Sequence, residues 1–389
     1  MINLEYQPKE YHKISSLYVP KYIDFSKETM FFGSGKNTQR YDISKYPFLD
    51  VLSDNMMGLD WTHNEIKLTP DKQDYPNLSE SQEFVYKRVL QKLIFLDSLQ
   101  GRGILQTLGS IVTLPELEAC MTIWQHFEIS KHSRSYTEIL RGVYDEPTKI
   151  FDESFDIPEL MYIAKSISEP YNECFELVTE YNYCQINNLE FTKMKELKKS
   201  ILKLLVVINI LEGVRFYSGF ASIWAINYSS GMLDRTSKIL KLICRDENMH
   251  LQITQYLLKQ LRTREDEGFK EIYEEMRPEI LKLYEQAWLE EQIWIDFLFS
   301  KGSYLGMNAE IAKIYMKYLF NRRLRAIGEK DMFKGFNDNP IKWVNDYISN
   351  DAVEVLPQEV EVINYRTDIL KMEMNPDDFE ELKGLFGIK

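Results

Sequence analysis

Cysteine is scarce in this sequence of 389 residues, and the four present, Cys120, Cys174, Cys184 and Cys244, show no C-x-x-C spacing. A chain of this size needs no disulfide framework, so they read as reduced thiols of a cytoplasmic protein. Positive charge is also in deficit: 47 Lys+Arg stand against 60 Asp+Glu, a formal charge of −13. That balance excludes the basic face a nucleic-acid binder needs to displace counterions. No apolar run approaches the roughly 18 residues of a membrane span. The opening MINLEYQPKEYHK carries charge where a signal peptide needs an apolar stretch, so the expectation is a soluble protein with no membrane partner. Internal repeats, low-complexity tracts, a Gly-rich phosphate loop and a Ser-His-Asp arrangement are likewise missing.

Apolar periodicity is what the sequence has in quantity. Hydrophobic residues make up 44% and aromatics 13%, including 24 Tyr and 21 Phe, enough for one large core. Ser79 with Gln82 three residues on forms a capping-box pattern that opens a long helix through FVYKRVLQKLIFLDSLQGRGILQTL. A second long helix begins at Pro115 and runs to about Gly142. Helical patterns follow at roughly 158–180, 192–227, 231–262, 272–300 and 308–325, while residues 181–191 fit either a hairpin or a loop. No alternating run predicts a large sheet. Residues 1–45 read as an extended arm, 46–336 as one all-α domain, and 337–389 as an acidic C-terminal segment ending in a flexible tail.

Four acids interrupt helices that otherwise read as core. Asp97 lies within LIFLDSL and Glu212 within VVINILEGVRFY, and burying either is costly unless it is paired or metal-bound. Glu247 and His250 stand three residues apart in RDENMH, a spacing that puts both on one helix face and that helical-bundle dimetal sites use. Glu128, His132 and Tyr136 follow one another at four-residue intervals and share a face of another helix. Four carboxylates and two imidazoles are the donor set of two iron or manganese ions rather than zinc or calcium. The competing arrangement matches each acid to a buried arginine such as Arg102, Arg134 or Arg215. His126 reads as an ordinary helix histidine.

In order along the chain stand MFFGSG, RYD, LDSLQGR, PELE, HSRSYT, LEGVRFY, RDENMH and PQEVEV before Tyr365. With these motifs the sequence resembles the small subunit of class I ribonucleotide reductases, of the bacterial and phage type, from Met30 to Tyr365. The resemblance implies a ferritin-like helical bundle with extra helices and a dimetal carboxylate site in its core. It implies two metal ions per chain, iron first and manganese second. Asp97 and His132 would serve one ion, Glu212 and His250 the other, with Glu128 and Glu247 bridging. It further implies a stable radical on Tyr136, an apolar cage from Phe216 and Phe220, and transfer through Trp61, Asp246 and His132. Glu359 and Tyr365 would continue that path to a large subunit, where ribonucleotides are reduced. A homodimer and a flavodoxin-like activator are the other partners implied. Another dimetal oxidase or oxygenase, a metal-storage protein and an inactive supporting subunit are the rival functions.

One departure matters. The family pattern is Glu-x-x-His-x-x-x-Tyr, whereas Glu128 and His132 here are separated by three residues. An extra residue rotates a regular helix by about 100°, too much for both side chains to keep their aim. A π-bulge within about 126–132 would absorb it, with Glu128 a ligand and Lys131 turned away. The other register would point Ile129 at the cluster, bring Lys131 near and leave a metal-poor centre.

Overall fold

The computed structural model describes residues 17–348. Within them the chain is helical, with two isolated β-bridges and no strand longer than that. The arm arrives first: Met30 and Phe31 are buried, and Phe31 bridges Val112 across the start of the bundle. Met30 N–H donates to the buried Glu267 carboxylate at 2.8 Å, which ties the arm to a residue far along the chain. Helices α1 (Pro47–Gly58) and α2 (Thr69–Asp74) follow. Both begin with Pro in the first turn, where the missing N–H costs nothing.

The long helix α3 (Glu80–Leu108) starts on the predicted capping box, Ser79 and Gln82 each satisfying the other's backbone N–H. Helix α4 (Pro115–Phe127) and α5 (Ser133–Val143) are joined through a π turn at Glu128–His132. A short α6 (Pro147–Glu153) leads to α7 (Pro158–Ile186), which runs helically through most of the segment left open between hairpin and loop. Helix α8 (Met194–Ile210) passes through a second π turn, Leu211–Arg215, into α9 (Phe216–Ser230). Gly231 then ends α9 in the left-handed region at φ +73°, the residue type that adopts it without a Cβ clash. Helices α10 (Asp234–Thr263), α11 (Lys270–Leu298), α12 (Ala309–Ala326) and the single turn α13 (Asn345–Ile348) complete the described chain.

Helix α3 is the central post: α4, α7 and α9 all pack on it, and α8 closes the other side against α7, α10 and α11. The core that results is apolar and aromatic, with Trp124, Trp224, Trp294 and Tyr136 fully buried. None of the described helices is long and apolar enough to cross a membrane.

Charges also enter this core, away from the acids singled out above. Lys92 on α3 reaches both oxygens of Glu291 on α11 at 2.8 Å, all of it out of solvent. Arg215 pairs with Glu290, and Ser218 Oγ donates to Glu291 at 3.0 Å. Burial lowers the Lys92 ammonium to about 8 although Glu291 holds a proton on it. Such a pair adds little net stability over an apolar substitute, yet breaking it leaves one charge uncompensated. Lys92→Met should therefore destabilise the fold by about 3–5 kcal/mol. Adding Glu291→Leu should recover most of that loss. Denaturant midpoints of the two variants check this, and equal midpoints would show that the uncompensated charge is not the cost.

Candidate metal centre

Four separate elements deliver the six predicted ligands. Asp97 comes from mid-α3, Glu128 and His132 from the two ends of the first π turn, Glu212 from the second π turn, and Glu247 with His250 from one face of α10. All six side chains are fully buried. They assemble into two overlapping groups, Asp97–Glu128–His132–Glu247 and Glu128–Glu212–Glu247–His250, with the donor atoms of each group within 4.8 Å of one another. Glu128 and Glu247 belong to both.

The imidazoles aim Nδ1 inward. His132 Nδ1 lies 3.2 Å from Glu128 Oε2, 3.2 Å from Glu247 Oε1 and 3.9 Å from Asp97 Oδ2. His250 Nδ1 lies 2.8 Å from Glu247 Oε2, 3.0 Å from Glu128 Oε1 and 3.8 Å from Glu212 Oε2. Asp97 and Glu212 accept no hydrogen bond at either oxygen. Four buried acids facing two bases, two of the acids without a donor, are what a pair of divalent cations would satisfy. The residues therefore fit a dimetal group of hard oxygen and imidazole donors.

Protonation without metal follows from the same crowding. Burial, then Glu128 and Glu247, push the Asp97 carboxyl well above its usual range. Glu212 is raised likewise by burial, then by Glu247 and Glu128. Burial opposes the charge of Glu247 as well, but His132 and His250 outweigh it and hold that carboxyl low. Both imidazoles are raised despite burial, His132 chiefly by Glu247 and His250 chiefly by Glu128. Protons occupy part of the place cations would take.

The extra residue between Glu128 and His132 is absorbed where the sequence predicts, in the π turn Glu128–His132. Ile129 points outward and is 45% exposed, so the register that would aim it at the cluster is not adopted. Lys131 turns to Asp60 and to the Trp61 carbonyl, which it reaches at 2.7 Å. Gly101 of α3 leaves room for the widened turn, since a Cβ there would lie 2.9 Å from Ile129 Cγ1 and 3.0 Å from Glu128 Cβ. The rival compensation by arginines is also decided: Arg102 and Arg134 are exposed, and Arg215 pairs with Glu290 and Glu291.

Tyr136, one turn beyond His132, is fully buried and its hydroxyl finds no hydrogen-bond partner. Burial, then Asp97, push its phenol well above the ordinary range. Phe216 and Phe220 are fully buried and stack with ring centroids 6.0 Å apart. Outward from His132 runs a continuous polar connection, because His132 Nε2 lies 3.2 Å from Asp246 Oδ2 and Trp61 Nε1–H donates to the same oxygen at 2.7 Å. Arg245 meets the other Asp246 oxygen at 3.3 Å. Glu359 and Tyr365 lie outside the described residues.

Sequence reasoning missed Trp124, whose Nε1–H donates to Glu128 Oε1 at 3.0 Å and whose ring stacks on His250 at 5.1 Å. Its position four residues before Glu128 was the available signal. It also missed the second π turn, for which the sequence offers no insertion to betray it.

Comparison with known proteins bears on the whole chain. The family model described as ribonucleotide reductase, small chain, matches residues 41–340. The chain is 36% identical over 376 residues to the ribonucleoside-diphosphate reductase subunit beta of Buchnera aphidicola subsp. Baizongia pistaciae (strain Bp), covering 93% of this chain and 99% of the relative. It is 34% identical to ribonucleoside-diphosphate reductase 1 subunit beta of Escherichia coli O157:H7, over 92% and 97% of the two chains. The solved ribonucleotide reductase R2 subunit from Clostridium botulinum matches with a TM-score of 0.72 and 26% identity, over 86% of this chain and 98% of that one.

The protonation pattern sets a pH dependence for the metal-free protein. Asp97, Glu212, His132 and His250 all have folded pKa values raised above the unfolded ones, so the fold binds more protons than the unfolded chain. Their contribution is complete below the unfolded pKa values and is lost as pH rises through the folded ones. Glu247, held low, is ionised in both states above about pH 5 and leaves this slope untouched. In chelator, the melting temperature should fall as pH rises from about 5 to 8, and Asp97→Asn with Glu212→Gln should flatten that slope. A slope unchanged in the double variant would contradict the protonation pattern.

Proposed function

The chain belongs to the ribonucleotide reductase small-chain family, and we propose that Asp97, Glu128, His132, Glu212, Glu247 and His250 hold two metal ions beside a redox-active Tyr136. As a beta subunit of ribonucleoside-diphosphate reductase it is part of an oxidoreductase that works with a large subunit in converting ribonucleotides to deoxyribonucleotides. The observation that carries the metal reading is the pair of overlapping donor groups sharing Glu128 and Glu247. Iron is the first choice and manganese the second, since carboxylate with imidazole suits both.

When bound, the ion pair supplies the oxidising power to take one electron from a neighbouring phenol. The protein does the rest. Tyr136 would pass its Oη proton to the neighbouring Asp97 carboxylate as it loses that electron. The buried Phe216 and Phe220 rings offer no oxidisable group and keep water and reductants from the phenoxyl. Trp61, Asp246 and His132 provide hydrogen-bonded steps for an electron and proton to leave. Asp246 also accepts a hydrogen bond from His132 Nε2–H, which fixes the tautomer that turns Nδ1 to the cluster. Glu359 and Tyr365 would extend this route to the large subunit, and a cytoplasmic homodimer served by a flavodoxin-like activator completes the proposal on the strength of the family resemblance.

Glu247→Ala and His250→Ala should each abolish uptake of two ions per chain by the metal-free protein, measured by metal analysis. Wild-type metal content in both would remove the assignment. Tyr136→Phe should bind both ions yet lose the tyrosyl electron paramagnetic resonance signal and turnover with the large subunit. An unchanged spectrum would place the radical on another residue.

A further inference from the structure

Past Phe220 the aromatic stack does not end. Phe220 lies 5.5 Å from Trp224, whose ring stacks on Tyr347 at 5.3 Å. Tyr347 meets Trp343 at 5.9 Å, and Trp343 stacks on Tyr228 at 4.9 Å with an interplanar angle of 10°. Exposure rises along this line: Trp224 is fully buried, Tyr347 and Trp343 are half-buried, and Tyr228 is 56% exposed. Every ring beyond Phe220 is indole or phenol, the side chains that give up one electron most readily after thiolate. The Trp288, Phe320 and Phe333 cluster, by contrast, holds a single oxidisable ring among its three, Trp288. Phe216, Phe220 and Trp224 follow at four-residue steps on one face of α9, so Trp224 stands about 18 Å along the helix from Glu212. The line shares no residue with Trp61, Asp246 and His132.

We propose that Trp224, Tyr347, Trp343 and Tyr228 form a second one-electron port, through which an unused oxidising equivalent leaves the buried centre for a small thiolate or enediol reductant at the surface. The inference rests on the Tyr136 reading for its inner end. In the escape direction the Tyr136 phenoxyl takes one electron from Trp224 and regains at Oη the proton it gave up, returning to phenol. Trp224 is refilled in turn through Tyr347, Trp343 and Tyr228, and the external reductant is left one electron poorer, a thiolate as thiyl. Two of the relays have a hydrogen-bond acceptor for their proton. Trp224 Nε1–H donates to the Ser237 carbonyl at 3.2 Å, and the Tyr347 hydroxyl to Asn227 Oδ1 at 2.7 Å. Lys241 Nζ lies 4.4 Å from the centre of the Tyr347 ring and disfavours positive charge there, so a hole passes through that residue rather than resting on it.

Full-length metal-free protein exposed to photogenerated tris(bipyridine)ruthenium(III) in air, followed by peptide mass spectrometry, tests the port. The surface oxidant should withdraw an electron through Tyr228 and Trp343, so that Trp224 is oxidised ahead of the equally buried Trp124 and Trp294. Trp343→Phe or Tyr347→Phe, both at half-buried positions, should bring Trp224 oxidation down to the level of those two. Trp224 oxidised no faster than they are, or unaffected by both substitutions, would overturn the proposal. In metal-loaded protein the same substitutions should slow the loss of the Tyr136 signal to ascorbate, and an unchanged decay would overturn the escape role. The ruthenium arm uses neither metal nor tyrosyl signal, so it decides the port whatever becomes of the metal reading.

Discussion

Four carboxylates and two imidazoles are packed into a fully buried volume as two overlapping groups, the donor atoms of each within 4.8 Å of one another, and several other features of the molecule answer to that constraint. Each uncompensated ion in such a place costs several kcal/mol even after relaxation. The apolar mass around it must exceed what packing alone would need, and the helices must hold it rigidly. That explains why α3 is long and central, why Trp124 is committed to Glu128, and why Arg215 and Lys92 are neutralised by Glu290 and Glu291. With those cations engaged elsewhere, the clustered acids are faced by His132 and His250, and Trp124 adds a neutral donor to Glu128.

Two kinds of surroundings stand out in the core. Hydrogen-bonded polar groups run from His132 through Asp246 to Trp61. Phe216 and Phe220, stacked on each other and fully buried, carry no polar atom in their side chains. In the proposed function the polar set would carry charge away from the centre, and the two phenyl rings would shield the Tyr136 phenol from water.

Much of this was legible in the sequence because burial and helical periodicity leave strong marks. An acid inside LIFLDSL or VVINILEGVRFY is conspicuous, and the three-residue step from Glu247 to His250 fixes a shared face. The capping box at Ser79 marked the start of α3 to the residue. The short helices α1, α2 and α6 were not legible, because six to twelve residues give too few turns for a periodic signal. Residues 181–186 stayed open for a related reason: polar and aromatic residues alternate there, and of the six only Tyr181 is buried, so no apolar stripe marks this last stretch of α7. The buried pairs with Glu290 and Glu291 could not be found, since their partners lie on helices distant in sequence whose relative rotation no single segment encodes, whereas Trp124 stood in plain reach four residues before Glu128. The second π turn was invisible because no insertion marks it.

The turn at Glu128–His132 bears on how such chains are aligned with one another. A widened turn gains one residue without displacing either flanking helix along its axis, and it ejects the surplus side chain, here Ile129, to the surface. Ligand-to-ligand spacing across the turn is thus free to change by one, whereas Asp97 to Glu128 on one side and His132 to Tyr136 on the other are locked by packing. An alignment gap belongs inside the turn. Placed at either helix end, it would misalign Glu128 or His132 while leaving overall identity almost unaltered.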